Sequence, residues 1–204
     1  MSSAKPKITM VGLGLVGASL GLALREAGVA STVFGHDKDP EVGRQAKKIG
    51  AADKIQWNLI SACESADMVI VATPVGAIEE TLEVIGPHLR TDCIVLDTGG
   101  IKVPVLQWAE KHLPEQVHFV GCNPIVRAPF DPGKGLEGAR ADLFRGGVFS
   151  LMPLPRTNEK AVDQVVNLAS IVGAQPLFFD PVEHDALLAV VEQVPSILAS
   201  SLLD

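Results

Sequence analysis

The chain has 204 residues, enough for one substantial core and a small second unit. Apolar residues make up 47% and charged residues 20%, a globular composition that excludes disorder. With 17 basic against 24 acidic residues the formal net charge is −7, so nucleic acid and anionic membrane are poor partners.

Taken in order, residues 8–11 form an apolar run that predicts a buried strand, and 16–27 a helix. No apolar h-region with a cleavage site precedes that strand. The second strand is expected at 32–35. Asp39 is a natural N-cap with Pro40 at the first helical position. A third strand is expected at 68–72, with Thr73-Pro74 opening a helix that runs to residue 85. Strand 93–96, helix 103–112 and strand 117–120 follow. Residues 121–147, rich in glycine and proline, read as mostly irregular. Strand 148–152, helix 158–172 and strand 175–179 complete the alternation. Strands separated by helix-length segments predict an α/β fold: a Rossmann-type, doubly wound, mostly parallel sheet.

The last segment differs. Asp180, Pro181 and Glu183 read as an N-cap, a first-turn proline and a capping-box acid. The chain can stay helical to residue 203, with a kink at Pro195. This C-terminal helix is apolar, which predicts a boundary between a nucleotide domain at 1–179 and the start of a second unit at 180–204. It also predicts self-association, as a homodimer through that helix. Cys63, Cys93 and Cys122 form no CxxC pair, which suggests free thiols in a reducing, cytoplasmic setting. No run approaches the roughly 18 apolar residues that a membrane span needs.

The chemistry is signalled by Gly12-Leu13-Gly14-Leu15-Val16-Gly17. This loop follows a strand and opens a helix, and Asp37 lies about 20 residues beyond its last glycine. Gly12 permits a tight turn, Gly14 lets the backbone approach a pyrophosphate, and Gly17 lets helix and strand pack closely. The N–H groups at Leu15 and Val16 would meet the phosphates at the helix N-terminus. The Asp37 carboxylate would take ribose hydroxyls and repel a 2′-phosphate, so NAD is favoured over NADP. His36 and Lys38 beside it would soften that preference. Thr73 and Pro74 sit at the carboxyl end of a strand, where ligands bind in open α/β sheets, and suit contacts to the nicotinamide ribose. The bland alternatives are glycines that serve only packing and a Thr73 that serves only as an N-cap.

The sequence resembles the prephenate/arogenate dehydrogenase family of tyrosine biosynthesis. The resemblance rests on VGLGLVGASLGLAL (11–24), FGHDKDP (34–40), ADMVIVATPV (66–75), DTGGIK (97–102), FVGCNP (119–124), LFRGGVFSLMP (143–153) and VEHD (182–185). It implies oxidation of the C4 hydroxyl of prephenate or arogenate by hydride transfer to NAD, with loss of carbon dioxide as the ring aromatises. That chemistry wants a base at the hydroxyl, in this family the histidine of a Gly-His-Pro motif, and cationic or hydrogen-bonding groups for the carboxylates of the substrate. Here the Gly-His-Pro position reads Cys122-Asn123-Pro124. The serine of the family's Asp-x-Gly-Ser-x-Lys is Gly100. Its Ser-His-Leu-Pro-His is Glu192-Gln193-Val194-Pro195-Ser196. The family's long helical dimerisation domain is expected to be truncated.

The catalytic candidates are therefore Asn123, Lys102 and Arg127. Asn123 could orient a hydroxyl but cannot act as a base at neutral pH; otherwise it satisfies backbone groups in a turn. Lys102 is either a cation near the substrate or a solvated residue at a helix start. Arg127 either grips a carboxylate or is a solvated loop residue. His184 reads as a packing or hydrogen-bonding residue at a helix start. No His, Cys or carboxylate cluster has metal-ligand spacing. Two functions remain in view: an NAD-dependent dehydrogenase acting on a small carboxylate substrate, and a non-catalytic NAD-binding regulatory module.

Overall fold

The computed structural model describes residues 5–127 and 132–201. Its centre is an eight-stranded sheet in the order β3-β2-β1-β4-β5-β6-β7-β8. The strands are β1 (Lys7–Val11), β2 (Thr32–His36), β3 (Lys54–Ile55), β4 (Met68–Val71), β5 (Ile94–Asp97), β6 (His118–Ile125), β7 (Val148–Pro153) and β8 (Gln175–Phe178). Neighbouring strands are parallel except β6 and β7, which pair antiparallel.

Both faces of the sheet are covered, as a parallel sheet requires. Every residue of β4 is buried: Met68 and Ile70 belong to one core, Val69 and Val71 to the other. The first core packs α1 (Leu15–Glu26), α2 (Pro40–Lys48) and α6 (Glu159–Ile171) on the sheet through Ala18, Leu20, Leu24, Ala46, Val165 and Leu168. The second packs α3 (Leu59–Cys63), α4 (Ile78–Ile85) and α5 (Val103–His112) through Cys63, Ile78, Leu82, Ile85, Val105 and Ala109. The period-two alternation of the strands thus sets the three-layer architecture.

The chain leaves β1 toward β2 and β3, then crosses back to β4, β5 and β6 on the other side. β1 and β4 are therefore the switch point, the place where an open α/β sheet leaves a crevice at the strand C-termini.

Several expectations are corrected in detail. β3 and α3 have no counterpart in the sequence reading. α3 is capped by Asn58, whose Oδ1 accepts from Ser61 N at 2.9 Å. The helix expected from Thr73-Pro74 begins later: Pro74 is extended, Val75–Ala77 makes a 3-10 turn, and α4 starts at Ile78. β6 runs on to Ile125 through residues expected to be irregular. Its added length comes from pairing with β7, including Asn123 with Ser150 and Ile125 with Val148. Pairing with β5 ends at Leu96 and Val120, so Pro124 lies where β6 pairs on one side, a setting that tolerates proline.

Asp180 caps α7 (Pro181–Leu188) as expected, accepting from Val182 N at 2.8 Å and Glu183 N at 3.2 Å. The anticipated kink takes the form of a π-helical turn, Ala189–Gln193, before α8 (Val194–Ser201). Pro195 has no N–H for a carbonyl one turn back, and the wider turn before it accommodates that loss. Among the described residues no helix is long and apolar enough to cross a membrane.

Candidate functional site

Two features built from sequence-distant segments lie at the C-terminal ends of the parallel strands, the first of them at the switch point. The first is the glycine loop after β1. Gly12 has φ +90° and donates its N–H to His36 O at 2.8 Å, and a Cβ there would lie 2.6 Å from the carbonyl oxygen of Ala72. A Cβ on Gly17 would lie 2.0 Å from the carbonyl oxygen of Gly12. A Cβ on Gly14 would meet nothing within 4 Å. The three glycines therefore have separate causes: a left-handed turn, a close helix–loop contact, and an open face.

Gly14 is the N-cap of α1, and no side chain caps that helix. The N–H groups of Leu15, Val16 and Gly17 in its first turn have no carbonyl four residues back within the helix, and the aligned peptide dipoles add partial positive charge. Asp37 stands beside this opening, half-buried, with Oδ2 accepting from Leu13 N at 2.8 Å and Oδ1 from Asp39 N at 2.9 Å. Its carboxylate thus also holds the loop in shape. Lys38 and Pro74 are exposed. Thr73 lies just past β4, and its Oγ1 is buried with no hydrogen-bond partner, so this hydroxyl is not the helix cap it could have been. An open backbone at Gly14, uncapped N–H groups and an orphaned hydroxyl at Thr73 fit a dinucleotide laid across the β1 and β4 ends.

The second feature lies at the ends of β5 and β6. Lys102 is fully buried, and its Nζ pairs with Asp97 and donates to the carbonyl oxygen of Cys122 at 2.7 Å. Lys102 is thus not the solvated residue of the bland expectation, and its charge faces Asp97. Asp97 in turn accepts from Gly99 N at 2.8 Å and Cys122 N at 3.1 Å. Burial, with a further push from the Asp97 carboxylate that Lys102 opposes, holds the Cys122 thiol well above its ordinary pKa.

Asn123 follows Cys122 in the strand, not in a turn, and is buried. Its Nδ2 lies 3.2 Å from His184 Nε2. His184 Nδ1 lies 2.9 Å from Asp185 Oδ1. Asp185 reaches across from α7 to the start of α5, accepting from Lys102 N at 2.7 Å and Val103 N at 2.9 Å. Lys102 and Asn123 are thereby brought into one network. Arg127 is exposed, four residues further on, with its side chain near Gly146.

His184 makes hydrogen bonds at a helix start, as its place in the sequence predicts, but with partners that local sequence does not identify. Asp97, Asp185 and Ser150 are not among the sequence-predicted site residues. Ser150 is the register partner of Asn123 on β7, fully buried, and its Oγ has no hydrogen-bond partner. The signal for Asp97 was present: an acid ending an apolar strand at the crevice end of the sheet.

Comparison with known proteins agrees with this architecture. Residues 20–177 match the family model described as prephenate dehydrogenase, nucleotide-binding domain. The chain is 31% identical over 207 aligned residues to a prephenate dehydrogenase of Bacillus subtilis, spanning all of this chain and 54% of that protein. It is 26% identical to a cyclohexadienyl dehydrogenase of Zymomonas mobilis, over 96% of this chain and 66% of the relative. Among solved structures, prephenate dehydrogenase from Aquifex aeolicus in complex with hydroxyphenyl propionate and NAD+ superposes with a TM-score of 0.90 at 27% identity. That match covers all of this chain and 70% of the other. The chain therefore spans about half to two thirds of the relatives it matches. With that family model matching residues 20–177, most of the chain, this chain belongs to the prephenate dehydrogenase family.

Proposed function

We propose that this chain is the nucleotide-binding part of an NAD-dependent dehydrogenase of the prephenate dehydrogenase type, acting on prephenate, arogenate or a related hydroxy acid. The observation that carries this reading is the open backbone of Gly14 at the uncapped N-terminus of α1, flanked by Asp37 and the orphaned Thr73 hydroxyl. The first-turn N–H groups of α1 bind the pyrophosphate. Asp37 takes the adenosine ribose hydroxyls and disfavours a 2′-phosphate, so NAD is preferred to NADP. Thr73 and Pro74 border the nicotinamide ribose. When bound, the nicotinamide accepts the hydride from the substrate carbon.

Asn123 orients the substrate hydroxyl as a hydrogen-bond acceptor, and the exposed Arg127 guanidinium is offered to a substrate carboxylate. Lys102 acts through the loop geometry that it and Asp97 hold. The proposed boundary between nucleotide domain and helical unit falls at 179/180, with a homodimer formed through the C-terminal helix and a cytoplasmic setting. The same sequence difference that places an amide at position 123 favours a second reading, a nucleotide-binding module without turnover.

Titration with NAD and NADP, followed by an assay of NADH production with prephenate, arogenate and simple hydroxy acids, tests both. NAD binding with turnover supports the dehydrogenase. NAD binding without turnover on any substrate leaves the module. Failure to bind either dinucleotide overturns both.

A further inference from the structure

The Asn123 carboxamide has two ends of opposite character, and which end points away from His184 decides what a hydroxyl-bearing guest would meet. Its neighbours determine the answer. Asp185 is a carboxylate whose oxygens accept from Lys102 N and Val103 N, at 2.7 and 2.9 Å. An ionised carboxylate only accepts hydrogen bonds. The imidazole of His184, 2.9 Å away, must therefore present Nδ1–H to it. In the neutral ring the other nitrogen, Nε2, is then an acceptor. The Asn123 group 3.2 Å from Nε2 must be the donor end, Nδ2. The carbonyl end is left for the other side. The edge of the Phe179 ring, with its centroid 6.2 Å from that of His184, helps fix the imidazole plane.

We propose that His184 is a positioning residue: held in its Nδ1–H tautomer by Asp185, it turns the Asn123 amide so that Oδ1 is the acceptor presented to a hydroxyl-bearing substrate. A second observation points to a guest at this place. Ser150 stands directly across from Asn123, and opposed residues of an antiparallel pair share a sheet face. Its hydroxyl is fully buried and has no protein partner. A hydroxyl bound within reach of both would donate to Asn123 Oδ1 and accept from Ser150 Oγ, giving the serine the partner it lacks. No proton is transferred to the amide in this arrangement; it selects the pose of the hydroxyl.

This inference rests on the dehydrogenase reading for the identity of the guest, but its test does not. Long-range 1H–15N correlations of the His184 ring in the 15N-labelled chain report the tautomer directly. The expected result at neutral pH is a pyrrole-type Nδ1 and a pyridine-type Nε2. A pyrrole-type Nε2 would overturn the proposal, because that nitrogen would then donate to Asn123 Oδ1 and turn the Nδ2 end outward. Three chains are then compared by the side-chain amide signals of Asn123: the parent, His184→Gln and His184→Phe. Glutamine retains an acceptor at the reach of Nε2, so the hydrogen-bonded amide proton should keep its shift and slow exchange. Phenylalanine should abolish both. Identical Asn123 signals in the parent and His184→Phe also overturn the proposal. NAD titration serves as the control: it should be unchanged in all three chains. Loss of NAD binding in the parent would defeat the dehydrogenase reading while leaving the tautomer result standing.

Discussion

Lys102 and Asp97 form an ion pair from which solvent is excluded: both side chains are fully buried, and Lys102 Nζ also holds the carbonyl of Cys122 at 2.7 Å. The pair ties the loop after β5 to the middle of β6, one residue before Asn123. Removing one partner would leave the other charge buried without compensation. Lys102→Met is therefore expected to lower stability by about 3–5 kcal/mol, read from urea denaturation. The double variant Asp97→Asn/Lys102→Met should lose less than the sum of the two single variants, because neither charge is then stranded.

The glycines of the loop should separate into binding and folding roles. Gly14→Ala adds a methyl where nothing lies within 4 Å, so stability should change little. NAD affinity should fall by about tenfold or more, or about 1.4 kcal/mol, because that methyl would occupy the proposed approach of the pyrophosphate. Gly17→Ala places a Cβ 2.0 Å from the backbone oxygen of Gly12. It should cost about 3 kcal/mol of stability by overpacking, and binding with it. Parallel thermal melts and NAD titrations check the contrast; equal stability losses in the two variants would contradict it.

Asp37 is expected to have two separable effects. Asp37→Ser removes the carboxylate proposed to disfavour a 2′-phosphate, so the ratio of NADP to NAD affinity should rise by about tenfold. It also weakens the bond to Leu13 N that shapes the loop, so NAD affinity itself should fall. Competitive titration of the two dinucleotides reads both effects, and an unchanged ratio would remove Asp37 from the specificity assignment.

Burial raises the thiols of Cys63 and Cys93 from 9.0 to about 12. The folded state therefore favours the neutral thiol. Its contribution is fully present below about pH 9 and is lost as the pH rises toward about 12, at about 1.4 kcal/mol per pH unit for each thiol. Urea midpoints measured from pH 8 upward should fall more steeply in the parent than in Cys63→Ala/Cys93→Ala. Parallel slopes would show that other groups dominate the alkaline loss. At pH 8 neither thiol should react with a disulfide reagent until the chain unfolds.

Exposed apolar side chains concentrate at Leu187, Val190, Val191, Val194 and Ile197. This is the surface that the proposed dimer would cover. Sedimentation should show self-association of the parent that weakens in Val190→Lys/Ile197→Lys. A parent that is monomeric at all concentrations would exclude the contact.

Much of the fold was legible because strand and helix periods differ and the elements are punctuated. Asp39 with Pro40 and Asp180 with Pro181 marked helix starts that the structure retains. Short or partner-dependent elements were not legible. β3 has two residues, and the last part of β6 exists because β7 pairs with it.

By itself, the sequence determined the alternating layers, the glycine loop and the placement of Asp37, since these follow from local periodicity and from residues whose backbone requirements are local. Only the tertiary structure decided the roles of Lys102, Asn123 and His184. Asp97 is near Lys102 in sequence and Asp185 adjoins His184, but the links that join these residues into one network are long-range: Lys102 with Cys122 and Asp185, and Asn123 with His184. A buried charge or amide takes its meaning from what it faces in a medium without water, and that facing is set by how β5, β6, α5 and α7 pack. Local sequence marked Lys102 as a cation at a helix start; the packing of these elements turned its charge toward Asp97.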